Sequence, residues 1–213
     1  MKYGNAICCK IYLQHLHNKC YDVDVMVNKI LRTKTKQTIF TVADISDISG
    51  RKVDSNLVAN INYYVKKGDL IQISKGLYAI DRDYDKYELG NKLRRPSYVS
   101  FYTVLQKEGI LFQEYQELFF ASNRSEQIEI NNIKFKYRKL KDSILLNNME
   151  IVSTTNISIA TIERALCDKL YLDGEEYFDN LTSIDWEVAN KLAIEVYKSE
   201  KLIKTLNKLK DVK

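Results

Sequence analysis

Two asparagines, a tyrosine and a lysine at helical spacing are the residues of this 213-residue chain best suited to recognising a partner. Asn56, Asn60, Tyr63 and Lys67 recur at intervals of three and four, so they share one helix face with Ala59. An asparagine amide matches the N6 and N7 edge of adenine, and a lysine ammonium or tyrosine hydroxyl takes a phosphate oxygen. Such a face suits a helix lying in a DNA major groove. Lys52, Ser55 and Lys66 border it and Lys75 follows at a turn, completing the candidate DNA contacts. The plainer reading is a solvated helix face, because any surface helix sets polar residues opposite an apolar stripe.

Residues for bond-making chemistry are scarce. Asp22-Val23-Asp24 has the D-x-D form that a nucleotidyltransferase uses for metal, yet no Gly-Ser phosphate turn precedes it. No Walker loop, G-x-S-x-G or G-x-G-x-x-G occurs. His15 and His17 lie near Cys8, Cys9 and Cys20, but i, i+2 spacing on a helix points the two imidazoles to different faces. The preferred reading of that stretch is an N-terminal helix with scattered polar residues, or an extension ahead of a core that begins near Met26. No catalytic residue, cofactor or metal is expected.

The elements that would position the amide face can be read around it. Asp54 as N-cap and Gly68 as C′ residue bracket a helix over Ser55 to Lys67, with Leu57, Val58, Ile61, Tyr64 and Val65 turned inward. Thr41 caps a shorter helix over Val42 to Ile48, whose Val42, Ile45 and Ile48 are its buried positions, and Ser49-Gly50 supplies the turn between them. A helix over Val25 to Arg32 precedes, with Val27, Ile30 and Leu31 facing in. After Gly68 the apolar period changes to two: Leu70, Ile71 and Ile73 lead into Ser74-Lys75-Gly76, and Leu77, Tyr78 and Ile80 lead out, a hairpin with Lys75 at its tip. Helix, turn, helix and hairpin in that order outline a winged helix-turn-helix.

Composition and charge fit that outline. Residues 1–83 hold 13 Lys and Arg against 8 Asp and Glu, and residues 84–213 hold 20 of each, so the formal +5 lies wholly in the first part. With 45% hydrophobic residues the chain is long enough for real cores, and its single proline, Pro96, argues against long disordered linkers. No apolar run long enough to span a membrane and no basic leader followed by an apolar stretch is present. The four cysteines are too few and too clustered for a disulfide framework and fit a reducing cytoplasm.

From Tyr84 onward a second, mixed pattern begins. Helices are expected over Tyr84 to Arg94, ended by Pro96, and over Ser100 to Lys107, closed by Gly109. Strands follow at Leu118 to Ala121, Gln127 to Ile130 and Ile133 to Leu140, the last two joined through Asn131-Asn132, with two more over Met149 to Val152 and Asn156 to Ile159. A helix over Thr161 to Leu172 and a long final one over Asp185 to Leu209 complete the chain. The fold class is α+β: an N-terminal extension over residues 1–25, a winged helix-turn-helix over 26–83 and a mixed α+β domain over 84–213. On the strand ending at Leu140, Lys134, Lys136 and Arg138 alternate with Phe135 and Tyr137, so three cations share one face. That face suits an anionic partner, or guards an edge strand with charge.

Two blocks in this second part carry a family resemblance. Lys75-Gly76-Leu77-Tyr78 followed by Tyr87-Glu88-Leu89-Gly90-Asn91-Lys92-Leu93-Arg94-Arg95-Pro96-Ser97-Tyr98-Val99-Ser100 resembles the AbiEi antitoxin family of type IV toxin–antitoxin systems. The run from Ile159 to Tyr171, with Ala160-Thr161-Ile162-Glu163-Arg164, resembles the family segment that opens Ala-Thr-Pro-Glu, with Ile162 in place of the usual proline. The resemblance covers residues 26 to 172. It implies a repressor that binds inverted repeats in its own promoter as a possible homodimer, and a second domain that counters a nucleotidyltransferase-like toxin without a stable complex being required. Arg94, Arg95, Lys134, Lys136, Arg138, Glu163 and Asp168 are the candidates of that second domain. Their plainer roles are a helix C-terminus favoured by its dipole for Arg94 and Arg95, a helix N-terminal charge for Glu163 and a surface ion pair for Asp168. The alternative function is a regulator of other genes whose second domain serves dimerisation or effector sensing.

Overall fold

Residues 26–33 and 37–211 are described in the computed structural model, and the chain divides into two compact units after Asp85. The readings made for residues 1–25 lie outside the described residues. Within unit 1 a helix over residues 26–33 (α1) precedes a short strand β1 (Phe40–Thr41), helix α2 (Val42–Ser49), helix α3 (Ser55–Lys67) and strands β2 (Ile71–Ser74) and β3 (Leu77–Ala79). Thr41 starts α2 through a reciprocal box: its hydroxyl accepts the Asp44 N–H at 3.1 Å and its own N–H donates to the Asp44 carboxylate at 2.8 Å. Gly50 ends α2 at φ 73°, a left-handed value that lets the chain reverse within a few residues. The Asp54 carboxylate then accepts the Leu57 N–H at 2.7 Å and opens α3, which Gly68 closes at φ 87°.

These caps orient one apolar face of each helix toward a shared core. Met26, Ile30, Phe40, Ile45, Leu57, Ile61, Tyr64, Leu70 and Tyr78 form it, with Val27, Val42, Ile48 and Val65 packed against its margin. Val58 and Leu31 depart from expectation: they lie off the apolar stripes of their helices and keep 39% and 44% of their surfaces exposed. β3 pairs with both β2 and β1, so the hairpin gains a third strand that its two residues were too short to announce.

Unit 2 is built on a six-stranded sheet in the order β6-β7-β5-β4-β9-β8. Its strands are β4 (Ser97–Val99), β5 (Glu117–Ser122), β6 (Glu126–Ile130), β7 (Ile133–Lys139), β8 (Ile151–Ser153) and β9 (Ser158–Ala160). Helices α4 (Lys86–Leu93), α5 (Tyr102–Lys107), α6 (Asp142–Leu145), α7 (Ile162–Asp173), α8 (Trp186–Leu192) and α9 (Glu200–Asp211) complete it. β6 and β7 turn through Asn131 and Asn132 at φ 51° and 63°, the paired left-handed conformation of a two-residue hairpin. The chain is thus mixed α+β.

Three expectations change here. β7 is not an edge strand: it lies between β6 and a parallel β5, because the hairpin folds β6 to the outside. β4 occupies an interior place although its three residues are too short to show a period. The final helix is not continuous; α8 runs into a π-helical turn over Ala193–Tyr197, and Lys198 at φ 49° breaks the chain before α9. The π turn sets Val196 and Tyr197 inward side by side.

Gly90 on α4 lets the helix approach the sheet closely. A Cβ there would lie 2.1 Å from the tip of the Phe120 ring, itself fully buried on β5. Gly90→Ala should therefore lower unfolding free energy by about 1–3 kcal/mol through overpacking, read from the midpoint of a urea transition with an unchanged slope. A midpoint equal to that of the parent would contradict this packing.

Candidate functional site

Helix α3 presents two unlike faces because Leu57, Ile61 and Tyr64 recur at helical spacing. Leu57, Ile61 and Tyr64 are buried, while Asn56, Ala59, Tyr63, Lys66 and Lys67 are exposed and Asn60 is half-buried. The structure brings the sequence candidates of α3 onto one side of unit 1. Tyr63 keeps 50% of its surface exposed and leans edge-on against Tyr64, with ring centres 5.6 Å apart. Ser55 and Lys52 are exposed at the start of α3, and Lys75 is exposed in the turn between β2 and β3. Lys67 is engaged: its Nζ lies 2.7 Å from the Asp69 carboxylate, so an anion must compete with Asp69 for it.

The cations predicted for unit 2 fare differently. Arg94 grips Glu126 with two guanidinium nitrogens, one of them at 2.8 Å from Oε2, and also donates to the Leu93 carbonyl at 2.7 Å. The hydrogen bond from Arg94 holds the Glu126 carboxyl below its ordinary value. Arg138 makes a two-pronged pair with Asp173, its guanidinium 5.2 Å above the Phe101 ring, and Lys136 lies 3.7 Å from Glu117 and 5.3 Å over Phe119. Lys134 stands opposite Glu129 and Glu117 in the strand register. The row of cations is therefore no free basic patch. Acidic residues from β5, β6 and the end of α7 meet it.

Arg95 alone among these is exposed. It is the charged residue lining a groove of about 700 Å³ whose other walls include Asn91, Ser97, Asn148, Ser153 and Asn156. Asn91 builds the groove floor: its amide donates to Ser97 at 3.3 Å and accepts the Ser158 N–H at 2.8 Å, tying α4, β4 and β9 together.

Asp168 is not a surface ion pair. Both it and Arg164 are fully buried on α7, one turn apart. The Asp168 carboxylate accepts hydrogen bonds from Ser100 at 2.6 Å, Tyr197 at 2.5 Å and Tyr98 at 3.2 Å. Arg164 donates to the Ile144 carbonyl at 2.7 Å, the Met149 carbonyl at 3.0 Å and the Tyr98 hydroxyl at 3.2 Å. Its guanidinium lies 5.5 Å and 5.4 Å from the centres of the Tyr98 and Tyr197 rings. Burial pushes the Asp168 carboxyl up, and Arg164 with the three hydroxyls pulls against it. Glu163 is buried too and accepts the Asp185 N–H at 3.1 Å, bracing the start of α8.

Tyr98, Ser100, Arg164 and Tyr197 were absent from the sequence candidates. The available signal was Arg164 and Asp168 at i, i+4 around Ala165, Leu166 and Cys167, charges on a helix whose intervening residues are apolar. Burial also pushes the Cys167 thiol up, which disfavours the thiolate. Among the described residues no group of three or more His, Cys, Asp and Glu side chains could hold a metal ion.

Beside this centre, Lys169 pairs with Asp173 at 3.0 Å and with Glu176, and lies 5.0 Å over the Tyr102 ring. Tyr102 donates to Glu176 at 3.1 Å, and burial pushes its hydroxyl up to about 12.

No family model matches the chain, and no curated protein matches it. Among solved structures it is similar to the crystal structure of the RV2827C protein from Mycobacterium tuberculosis, with a TM-score of 0.51 and 12% identity over 90% of this chain and 76% of that one. At that identity the likeness is one of fold.

Asp173 gives this network a pH dependence. The hydrogen bond from Arg138, with help from Lys169, holds its carboxyl at about 2 against an ordinary 3.8. A carboxyl depressed in the folded state stabilises fully above its unfolded value, and the contribution is lost as pH falls through the folded value. Asp173→Asn should therefore flatten the decline of stability between about pH 4 and pH 2, measured by urea unfolding at each pH. Parallel curves for variant and parent would contradict the assignment.

Proposed function

We propose that this chain is a DNA-binding repressor and antitoxin of the AbiEi type, with unit 1 acting as a winged helix-turn-helix on inverted repeats in its own promoter. The observation that carries the reading is α3: a capped helix seated on an apolar floor, joined to α2 by a Gly50 turn, whose outward face holds amides, a phenol and lysines but no carboxylate. In this reading Asn56, Asn60 and Tyr63 enter the major groove. Lys52, Lys66 and Lys75 neutralise flanking phosphates, and Lys67 joins them by exchanging Asp69 for a phosphate oxygen. The charge excess in residues 1–83 supports it. Two copies on inverted half-sites would match the two-fold symmetry of such an operator.

The antitoxin part rests on the resemblance of two sequence blocks, and their meeting in unit 2 supports it. Residues of the first block, Tyr98 and Ser100, bond Arg164 or Asp168 of the second. A nucleotidyltransferase-like toxin is the functional partner in this proposal, countered without an assumed complex. A chain acting on duplex DNA works in the cytoplasm, and no helix among the described residues is long and apolar enough to cross a membrane.

Growth and repression separate the two activities. A nucleotidyltransferase-like toxin is expected to be encoded beside this chain, and in cells expressing that toxin the chain supplied from an independent promoter should restore growth. A Lys66→Ala, Lys75→Ala double variant should do so equally while losing most repression of a reporter driven by its own promoter. Repression without restored growth would leave a plain regulator, and undiminished repression by the double variant would remove these lysines from the DNA contact.

A further inference from the structure

We infer that the DNA half-site is A·T-rich and is read by Asn56 and Asn60, an assignment that rests on the DNA-binding proposal above. In the major groove each base edge calls for its own side chain: arginine or lysine for guanine, asparagine or glutamine for adenine, a carboxylate for the cytosine amine, and a methyl group for that of thymine. Between Ser55 and Lys67, α3 contains no arginine and no acidic residue. Its two lysines stand in the last turn, and one of them, Lys67, is held by Asp69. The first turns of a recognition helix are those that reach the base edges. In α3 those turns lack the arginine, lysine and carboxylate that single out guanine or cytosine, and Ser55, which can bond either base pair, adds no preference.

What remains on the outward face recognises the other pair. Asn56 and Asn60 offer amides that have no hydrogen-bond partner among the described residues, and Ala59 between them offers a methyl group to thymine. One helical turn separates the two amides, about 6 Å along the axis. That distance spans roughly two base-pair steps of about 3.4 Å. Two adenines at that spacing, or an adenine beside thymines, therefore match the spacing of the face. Tyr63, one turn beyond Asn60 with half its surface exposed, is placed for sugar or phosphate rather than for a base edge.

Selection of the full-length chain against random-sequence duplexes at fixed salt tests this. The wild type should enrich an A·T-rich half-site. Asn56→Ala and Asn60→Ala should each erase the preference at a different base position and weaken binding to the parental site by about tenfold. Asn60→Arg should shift the preference at its position from adenine to guanine. Both side chains lie off the core, so unchanged melting temperatures verify that the variants are folded. A G·C-rich consensus, or an A·T-rich one that none of the variants alters, overturns the assignment and leaves DNA binding standing. Failure of the wild type to enrich any duplex overturns the DNA-binding proposal and this assignment with it.

Discussion

Burying Arg164 and Asp168 with no exposure to water constrains nearly everything else in unit 2. Withdrawing a carboxylate or a guanidinium from water has an effective penalty of several kcal/mol per ion, offset by close pairing and hydrogen bonds. Within this pair Arg164 Nε, 3.7 Å from Asp168 Oδ1, is the one polar atom that makes no hydrogen bond. The partners come from every layer: Ser100 and Tyr98 from the β4 region, the Ile144 carbonyl from α6, the Met149 carbonyl ahead of β8, and Tyr197 from the π turn. Tyr197 reaches Asp168 from the π turn, which the left-handed Lys198 ends. Removing one partner would leave a buried charge uncompensated. The pair therefore specifies one arrangement of sheet and helices more than it adds net stability.

Unit 1 works by another division. Its stability depends on the apolar face of three short helices and one small sheet, which frees the opposite face of α3 from any packing role. Caps fix the helix ends by local chemistry, so Asp54 and Gly68 set the length of the outward face without calling on its side chains. Unit 2 inverts this arrangement: Arg94, Arg138, Lys136, Arg164 and Lys169 are each met by an acid, and Arg138 and Lys136 find theirs where an isolated strand would show a basic face.

The contrast explains what could be read from sequence. Features governed by neighbours in the chain were legible: the Thr41 and Asp54 caps, the Gly50 and Gly68 ends, the Asn131-Asn132 hairpin and the apolar stripe of α3. Features governed by distant partners were not. Lys134, Lys136 and Arg138 read as an edge because alternation reveals which face a residue takes and says nothing about which strand lies alongside. Asp168 read as a surface charge because burial of a carboxylate depends on hydroxyls supplied from residues 98, 100 and 197. The last helix read as continuous because its apolar spacing persists across the break at Lys198. In the candidate site, α3 was legible as a face, while the engagement of Lys67 by Asp69 was not.

The central claim is that unit 1 grips duplex DNA through the outward face of α3. A hydroxyl-radical footprint of the full chain on the DNA upstream of its own reading frame tests it most directly. The account predicts two protected arms of an inverted repeat, their centres one helical turn or a whole multiple of it apart, with protection that fades as salt rises because phosphate contacts release counterions. Uniform cleavage at the lowest salt, or protection indifferent to salt, would contradict it.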